Sequence, residues 1–339
     1  QAGALALVYT DGSVQVNHGG TEMGQGINTN ITAIAARALG VPADKIRVMS
    51  TATDKVPNTS ATAASSGTDM NGMAVQDACD QIIARLRPVA AEMLSSKRGK
   101  TCGADDVEFR DGRVFHVNHP GEYLEFREIA QKAWMQRVSM AATGYYRTPE
   151  IHWDRNAGKG HPFYYFAVGA AVSEVEIDGF TGEMHVRRVD ILHDAGTSIN
   201  EGINRGQIEG GFVQGMGWLT AEELVWNREG KLLTHSPDTY KIPAVGDMPR
   251  DFRVRLLEDA PNPKQTVHRS KAVGEPPFML AISVREAIRD AVAAFGPGGR
   301  QVRLAAPATG EAIFRAIREQ RMPDVKGVPV EAVPRGVLV

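Results

Sequence analysis

Two Asp-Gly pairs constrain this chain more than any other feature. Asp11-Gly12 lies between residues 4–9 and 13–17, and Asp111-Gly112 between residues 107–109 and 113–117. Each joins two short strand-like runs, which is the strongest short-range signal for a β-hairpin, because both residues tolerate the left-handed backbone of a tight turn. Residues 163–177 and 183–192 predict a longer hairpin, turning at 178–182. Residues 45–49, 139–147 and 252–257 read as further strands. Helices are expected at about 28–39 (stopped by Gly40 and Pro42), 69–94, 126–138, 203–223, 276–294 and 309–318. Pro88 should kink or divide the second of these. Hairpins dominate and no regular βαβ repeat appears, so the expected class is α+β, with mixed and antiparallel sheets and packed helices. A boundary within 140–160 gives expected subdomains 1–145 and 146–320, followed by a tail, 321–339.

The chain has 339 residues, 42% hydrophobic and 23% charged, the composition of an ordered globular protein. A net charge of −2 provides no attraction to nucleic acid or to acidic membranes. No apolar run approaches the roughly 20 residues that span a bilayer. No basic-then-apolar leader opens the sequence, so a cytoplasmic location is expected. Cys79 and Cys102 are the only cysteines and form no CxxC pair, which fits a reducing compartment. They are too few for an iron–sulfur cluster, so any redox relay is expected on another polypeptide or segment. The first residue is Gln1 and a strand begins within a few residues of it, as expected for a piece of a longer polypeptide.

Four segments are candidates for chemistry. Gly19-Gly20-Thr21-Glu22-Met23-Gly24-Gln25-Gly26 precedes a helix, where free amides favour an anion and glycines let a phosphate or fused ring come close. The same segment could be a tight turn without a ligand. It is not a Walker loop, having no Lys-Ser/Thr, which disfavours a nucleotide-binding reading. Thr62-Ala63-Ala64-Ser65-Ser66-Gly67-Thr68 precedes the long helix. Its amides and hydroxyls could hold an oxyanion, and its alanines leave room for a planar ligand, but capping by Ser65, Ser66 or Thr68 is the plainer alternative.

Gln207 lies early in the helix at 203–223, which also carries Gly206, Gly210, Gly211, Gly215 and Gly217. Each glycine costs about 0.8–1 kcal/mol relative to alanine, so close approach along that face is expected. Gly274-Glu275-Pro276-Pro277 is the sharpest signal. Pro276 fits the first position of a helix, which would hold Glu275 at a rigid, electropositive turn suited to a general base or to a simple cap. The nine histidines form no convincing metal set.

The order of these segments is more specific than any one of them. GGTEMGQG, residues 57–72 (PNTSATAASSGTDMNG), residues 141–149, GQIEGGFVQGMGW, residues 238–244 and KAVGEPPF follow one another. Together they resemble the C-terminal portion of the molybdenum-cofactor subunit of xanthine dehydrogenases, within the xanthine oxidase family, over residues 1 to about 318. That resemblance implies a molybdenum–molybdopterin cofactor on this chain. It implies that Met23, Gly24 and Gln25 contact the pterin and its phosphate tail, and that Ala63 and Ala64 lie beside the molybdenum without supplying a side-chain ligand. Ser65, Ser66, Gly67 and Thr68 would bind the pterin phosphate, Gln207 would reach the pterin or its tail, and Glu275 would be the catalytic base. The implied reaction is hydroxylation of hypoxanthine and xanthine to urate. Electrons would leave through 2Fe–2S clusters and FAD to NAD on a partner subunit, within a larger hetero-oligomer. In the family, a substrate-binding Glu, a substrate-binding Arg and a second cofactor loop precede this region. The chain alone is therefore expected to be inactive without the preceding half of the subunit. The alternatives are an aldehyde- or N-heterocycle-oxidising relative, or a non-catalytic binding domain derived from the same fold.

Overall fold

The computed structural model describes residues 1–56, 59–63 and 65–322. The first Asp-Gly pair turns the chain as predicted. Strands β1 (Ala2–Val8) and β2 (Val14–His18) pair antiparallel around it. Gly12 takes a positive φ of 82°, and the Ser13 amide donates to Asp11 Oδ1 at 2.9 Å. Helix α1 (Ile27–Leu39) stops at Gly40, which is left-handed, and β3 (Ile46–Val48) returns parallel to β2. The long helix α2 (Gly67–Arg98) follows. The second Asp-Gly pair joins β4 (Val107–Arg110) to β5 (Arg113–His116), and β6 (His119–Glu125) extends that hairpin to three strands. After α3 (Phe126–Met135), β7 (Ala141–Tyr146) completes a four-stranded sheet of order β3-β2-β1-β7. A small hairpin, β8 (His152–Asp154) and β9 (Lys159–His161), comes next. The remaining elements are β10 (Gly169–Ile177), β11 (Met184–His193), α4 (Glu201–Thr220), β12 (Asp251–Leu256), α5 (Ile282–Ala293) and α6 (Gly310–Arg321). The class is α+β, with mixed and antiparallel sheets. No helix among the described residues is long and apolar enough to cross a membrane.

The chain forms two compact units, neither of them a continuous stretch. The first contains Gln1–Val168, His193–Ile208 and Leu256–Pro276. The second contains Gly169–Leu192, Glu209–Arg255 and the chain from Pro277. In the second unit α5 lies along β10, with the Ser173 and Ser283 hydroxyls 2.7 Å apart, and Trp218 meets Phe278 edge-on.

The first unit is organised by a patch of very small side chains. Strand β1 alternates, and Ala2, Ala4, Ala6 and Val8 all face inward. Across the pairing with β7, Ala4 stands opposite Gly144 and Ala6 opposite Ala142. Helix α2 packs on this surface through Ala74 and Ala78, both fully buried. At Gly144 the approach leaves no space for even a methyl group, because an added Cβ would lie 1.9 Å from the Ala74 carbonyl oxygen. Larger apolar residues fill the remaining core: Ile31, Ile34 and Leu39 from α1, with Ile82, Leu86 and Leu94 from α2.

Four details depart from the sequence reading. Pro88 does not divide α2, which runs unbroken from Gly67 to Arg98. Pro88 and Ala84 are both exposed, so water can satisfy the Ala84 carbonyl that loses its helical donor. Residues 163–168 form no strand, and the hairpin begins at Gly169. Pro276 starts a six-residue 3₁₀ turn (Pro276–Ala281), and the α-helix begins only at Ile282. The strong helix dipole expected beside Glu275 is therefore absent. Close approach explains Gly215, where a Cβ would lie 2.4 Å from the Phe278 carbonyl oxygen, but nothing described lies within 4 Å of a Cβ at Gly206 or Gly210.

A direct test is Gly144→Ala. The obstructing atoms are backbone, so strand and helix must separate, and the loss should be roughly 1–3 kcal/mol or more. Denaturant unfolding of the chain should show a lower midpoint. An unchanged midpoint would mean that α2 is not held this closely.

Candidate functional site

The segment between β2 and α1 is braced from within. His18 Nδ1 accepts from the Gly20 amide at 3.1 Å, which places the ring proton on Nε2, 2.9 Å from Asn28 Oδ1. Burial holds the His18 imidazole below its ordinary pKa and so favours this neutral form. Glu22 then closes the start of α1. Its Oε1 accepts from the Gly24 and Gly26 amides at 2.9 and 3.0 Å, and its Oε2 from the Asn28 amide at 3.0 Å. Partial burial alone would raise the carboxyl pKa, but these amide donors outweigh it and hold the group below its usual value. Of the amides at this helix start, those of Gly24, Gly26 and Asn28 are thus taken by Glu22. Gln25 braces the same loop, its Oε1 accepting from the Met23 amide at 2.6 Å and its Nε2 donating to the Thr21 carbonyl at 2.7 Å.

The second loop is tied to the first. The Thr21 amide donates to Thr62 Oγ1 at 2.9 Å, and Asn30 Nδ2 donates to Thr68 Oγ1 at 3.3 Å. Ser65 takes a left-handed φ of 52°, unusual for a residue other than glycine and a conformation that bound loops sustain. Ser66 is the N-cap of α2 but makes no side-chain cap hydrogen bond; its hydroxyl turns back to the Ala63 carbonyl. Asn200 caps the start of α4, its Oδ1 accepting from the Ile203 amide at 3.1 Å. Side-chain acceptors therefore close the first turns of α1 and α4, while the N-cap side chain of α2 leaves that turn open.

Asp69, the carboxylate in that first turn, faces away from solvent. The Tyr165 hydroxyl donates to its Oδ2, and the Ser270 hydroxyl lies 3.4 Å from its Oδ1. Burial pushes the Asp69 carboxyl up to about 6, against the lowering effect of these hydroxyls. The same burial, with Asp69 alongside, drives the Tyr165 phenol well above its ordinary value. Tyr165 Oη in turn accepts from the Ala272 amide at 2.9 Å. One residue earlier, Lys271 Nζ pairs with Asp194 at 2.5 Å, with side-chain exposures of only 9% and 6%. Removing either partner of such a pair would cost about 3–5 kcal/mol.

These elements of the first unit surround a cavity of about 300 Å³. Of the residues expected to hold a cofactor, Met23, Gln25, Ala63, Ser65, Gly67, Thr68, Gln207 and Glu275 line it. Gly24 and Ser66 adjoin it in sequence without lining it, and Ala64 lies outside the described residues. At Gly274 three motifs converge: an added Cβ would come within 2.7 Å of Ser65 Oγ and 3.4 Å of Gln207 Oε1. Two carboxylates line the cavity. Asp69 is buried and bonded, whereas Glu275 is exposed and has no hydrogen bond or ion pair to any described residue. Glu275 is therefore no helix cap.

The lining offers polar groups that a ligand could satisfy. Asn30 is 6% exposed, and its Oδ1 is buried without a partner at the cavity wall. The open start of α2 supplies donors for an anionic group. Sequence reasoning did not find Glu22, Asn30, Asp69, Tyr165 or the Lys271–Asp194 pair. Only Glu22 and Asp69 had a local signal, as acids beside a helix start.

Asp69 makes stability depend on pH with a definite sign. Between its ordinary pKa near 4 and its folded value of about 6, the unfolded chain releases the proton that the folded chain keeps. Stability is therefore lost as pH rises through that window, by about 3 kcal/mol for two units. Comparing wild type with Asp69→Asn by denaturant unfolding from pH 4 to 7, the difference should move in favour of the Asn variant by about that amount. A difference that does not vary with pH would show that Asp69 titrates as an ordinary surface carboxyl.

Residues 1–249 match the family described as the molybdopterin cofactor-binding domain. Xanthine dehydrogenase of Oryza sativa subsp. japonica is 46% identical over 301 residues, covering 87% of this chain and 20% of that protein. Xanthine dehydrogenase/oxidase of Felis catus is 45% identical over 326 residues, 94% of this chain and 22% of that protein. The chain therefore spans about a fifth of the length of the curated relatives it matches. Among solved structures, quinoline 2-oxidoreductase from Pseudomonas putida 86 superposes with a TM-score of 0.80 at 28% identity, over 94% of this chain and 38% of that one. The cavity, its loops and these matches lead to one conclusion: the chain belongs to the molybdopterin cofactor-binding domain family.

Proposed function

We propose that this chain is the part of a molybdenum hydroxylase that cradles the pterin and supplies the base, and that the complete enzyme hydroxylates a purine. The observation that carries this reading is the contrast between the two carboxylates of the cavity. Asp69 is committed to Tyr165 and Ser270, so Glu275 alone is free to exchange a proton with a ligand.

Met23 and Gln25 would hold the pterin from the loop before α1. Gln25 uses one Nε2 hydrogen and one Oε1 lone pair within its loop and retains a second of each. Ser65, Gly67 and Thr68 would bind the phosphate at the open start of α2, with Gly24 and Ser66 completing the two turns. Gln207 makes no side-chain hydrogen bond among the described residues, so its amide is available to a pterin edge. Ala63, with its small side chain at the cavity, would leave the substrate plane clear. When bound, the cofactor supplies a Lewis-acidic metal and a two-electron acceptor. Glu275 takes up, at a carboxylate oxygen, the proton that the water-derived nucleophile gives up on attack. A positioned base of this kind contributes about 10²–10⁴-fold.

The preceding half of the subunit would complete the substrate site. An iron–sulfur and FAD subunit would carry electrons to NAD, because Cys79 and Cys102 cannot hold a cluster. Identities of 44–48% to xanthine dehydrogenases, against 28% to quinoline 2-oxidoreductase, support a purine over another N-heterocycle.

The test uses the complete enzyme. Glu275→Gln should keep its molybdenum while anaerobic reduction by xanthine slows at least about 100-fold, with electron transfer from pre-reduced enzyme to NAD unchanged. Near-normal reduction would remove Glu275 from the chemistry. Gln25→Ala should instead lower molybdenum content, because both the loop brace and a ligand contact are lost. Full occupancy in that variant would sink the role assigned to the first loop. Faster turnover of quinoline or an aldehyde than of xanthine would overturn the purine assignment.

A further inference from the structure

We infer that Tyr165 and Asp69 are positioning residues for Glu275: their hydroxyl and carboxyl tie the segment that carries the base to the first turn of α2. The inference rests on the reading of Glu275 as the base. It goes beyond that reading by naming what holds Glu275 in place.

Glu275 has no side-chain partner among the described residues, so its position is inherited from the backbone before it. That backbone is held residue by residue. The Ser270 carbonyl accepts from Asn262 Nδ2 at 3.0 Å and from Thr266 Oγ1 at 2.6 Å. The Lys271 amide donates to the Ala195 carbonyl at 2.9 Å, and its side chain pairs with Asp194. Ala272, three residues before the base, is the last residue of the segment whose backbone is held by a side chain, and that side chain is Tyr165.

The direction of donation gives the clamp its polarity. The Ala272 N–H donates to Tyr165 Oη, so the phenolic hydrogen is left for Asp69 Oδ2. On the other side of the carboxyl, the Ser270 hydroxyl donates to the Val267 carbonyl at 2.7 Å, better than the 3.4 Å to Asp69 Oδ1. A proton on Asp69 Oδ1 would be accepted by that Ser270 oxygen, and an ionised Asp69 would still receive the Tyr165 hydrogen. The clamp is satisfied in either charge state, as its burial requires. Asp69 follows directly on Thr68, and Gly274 packs against Ser65, so one connection sets the distance between the phosphate-binding turn and the base.

The experiment compares wild type, Tyr165→Phe and Asp69→Asn in the complete enzyme. Tyr165→Phe removes only the hydroxyl. Hydrogen exchange read by mass spectrometry should speed up at least tenfold in the peptide containing Ala272–Glu275, with global melting shifted far less than this local opening. Molybdenum content and KM should stay within about twofold, while kcat falls about 10–100-fold, the size expected when a reacting group is displaced by an ångström. Asp69→Asn keeps an acceptor for Tyr165 and should retain most of the protection and most of kcat. The exchange measurement does not depend on what Glu275 does. Faster exchange with unchanged kcat, in an enzyme where Glu275→Gln is inactive, would overturn the positioning role and leave the base assignment intact. Unchanged exchange in Tyr165→Phe would remove the clamp itself. Should Tyr165→Phe fail to fold, Asp69→Ala read by the same exchange and kcat measurements decides the question.

Discussion

Helix α2 lies against β1 and β7 with alanine and glycine at the contact, and Gly144 leaves no room for a side chain under Ala74. Helix and strand that approach this closely have little freedom to slide, because every shift brings a methyl against backbone. The first turn of α2 is consequently a fixed point of the first unit. Residues 65–69 lead into and begin that turn, and the cavity, the loop ties and the Tyr165–Asp69 contact are all referred to it. Small residues in a core normally sacrifice apolar burial; here they secure a precisely located helix start instead.

Backbone polar groups explain which loop keeps amides available to an anion. Every helix start exposes unpaired amides, and something must accept from them. In the loop before α1, Glu22 does so through both carboxylate oxygens, which converts an apparent anion site into a rigid wall presenting Met23 and Gln25. At α2 the N-cap serine turns away and Asp69 is drawn into the interior, so the amides there remain for a ligand. Two glycine- and serine-rich segments that look alike in sequence thus have opposite roles, decided by where one acidic side chain in each finds its hydrogen-bond donors.

The hairpins, the stop at Gly40 and the α+β class were legible because their causes are local. Asp-Gly permits the turn wherever it stands, and alternation along β1 marks its buried face. Glu275 stood out as a candidate because two prolines stiffen the chain immediately after it, but the 3₁₀ turn in place of an α-helix start was not legible. Pro88 did not divide α2, since the effect of a proline inside a helix depends on whether water reaches the freed carbonyl. Tyr165, Asp194 and Lys271 carried no signal, because their partners lie 77 to 107 residues away in sequence.

The amino-acid order by itself therefore determined the turns, the faces of the strands and the set of segments fit for chemistry, since each follows from backbone preferences acting over a few residues. Only the tertiary structure decided which acid is free and which is consumed, and that residues 193–208 and 256–276 return to the first unit to complete the cavity wall. The physical reason is that a carboxylate's role depends on its desolvation and its donors. Both are supplied by residues far away in the chain, which only folding brings within hydrogen-bond distance.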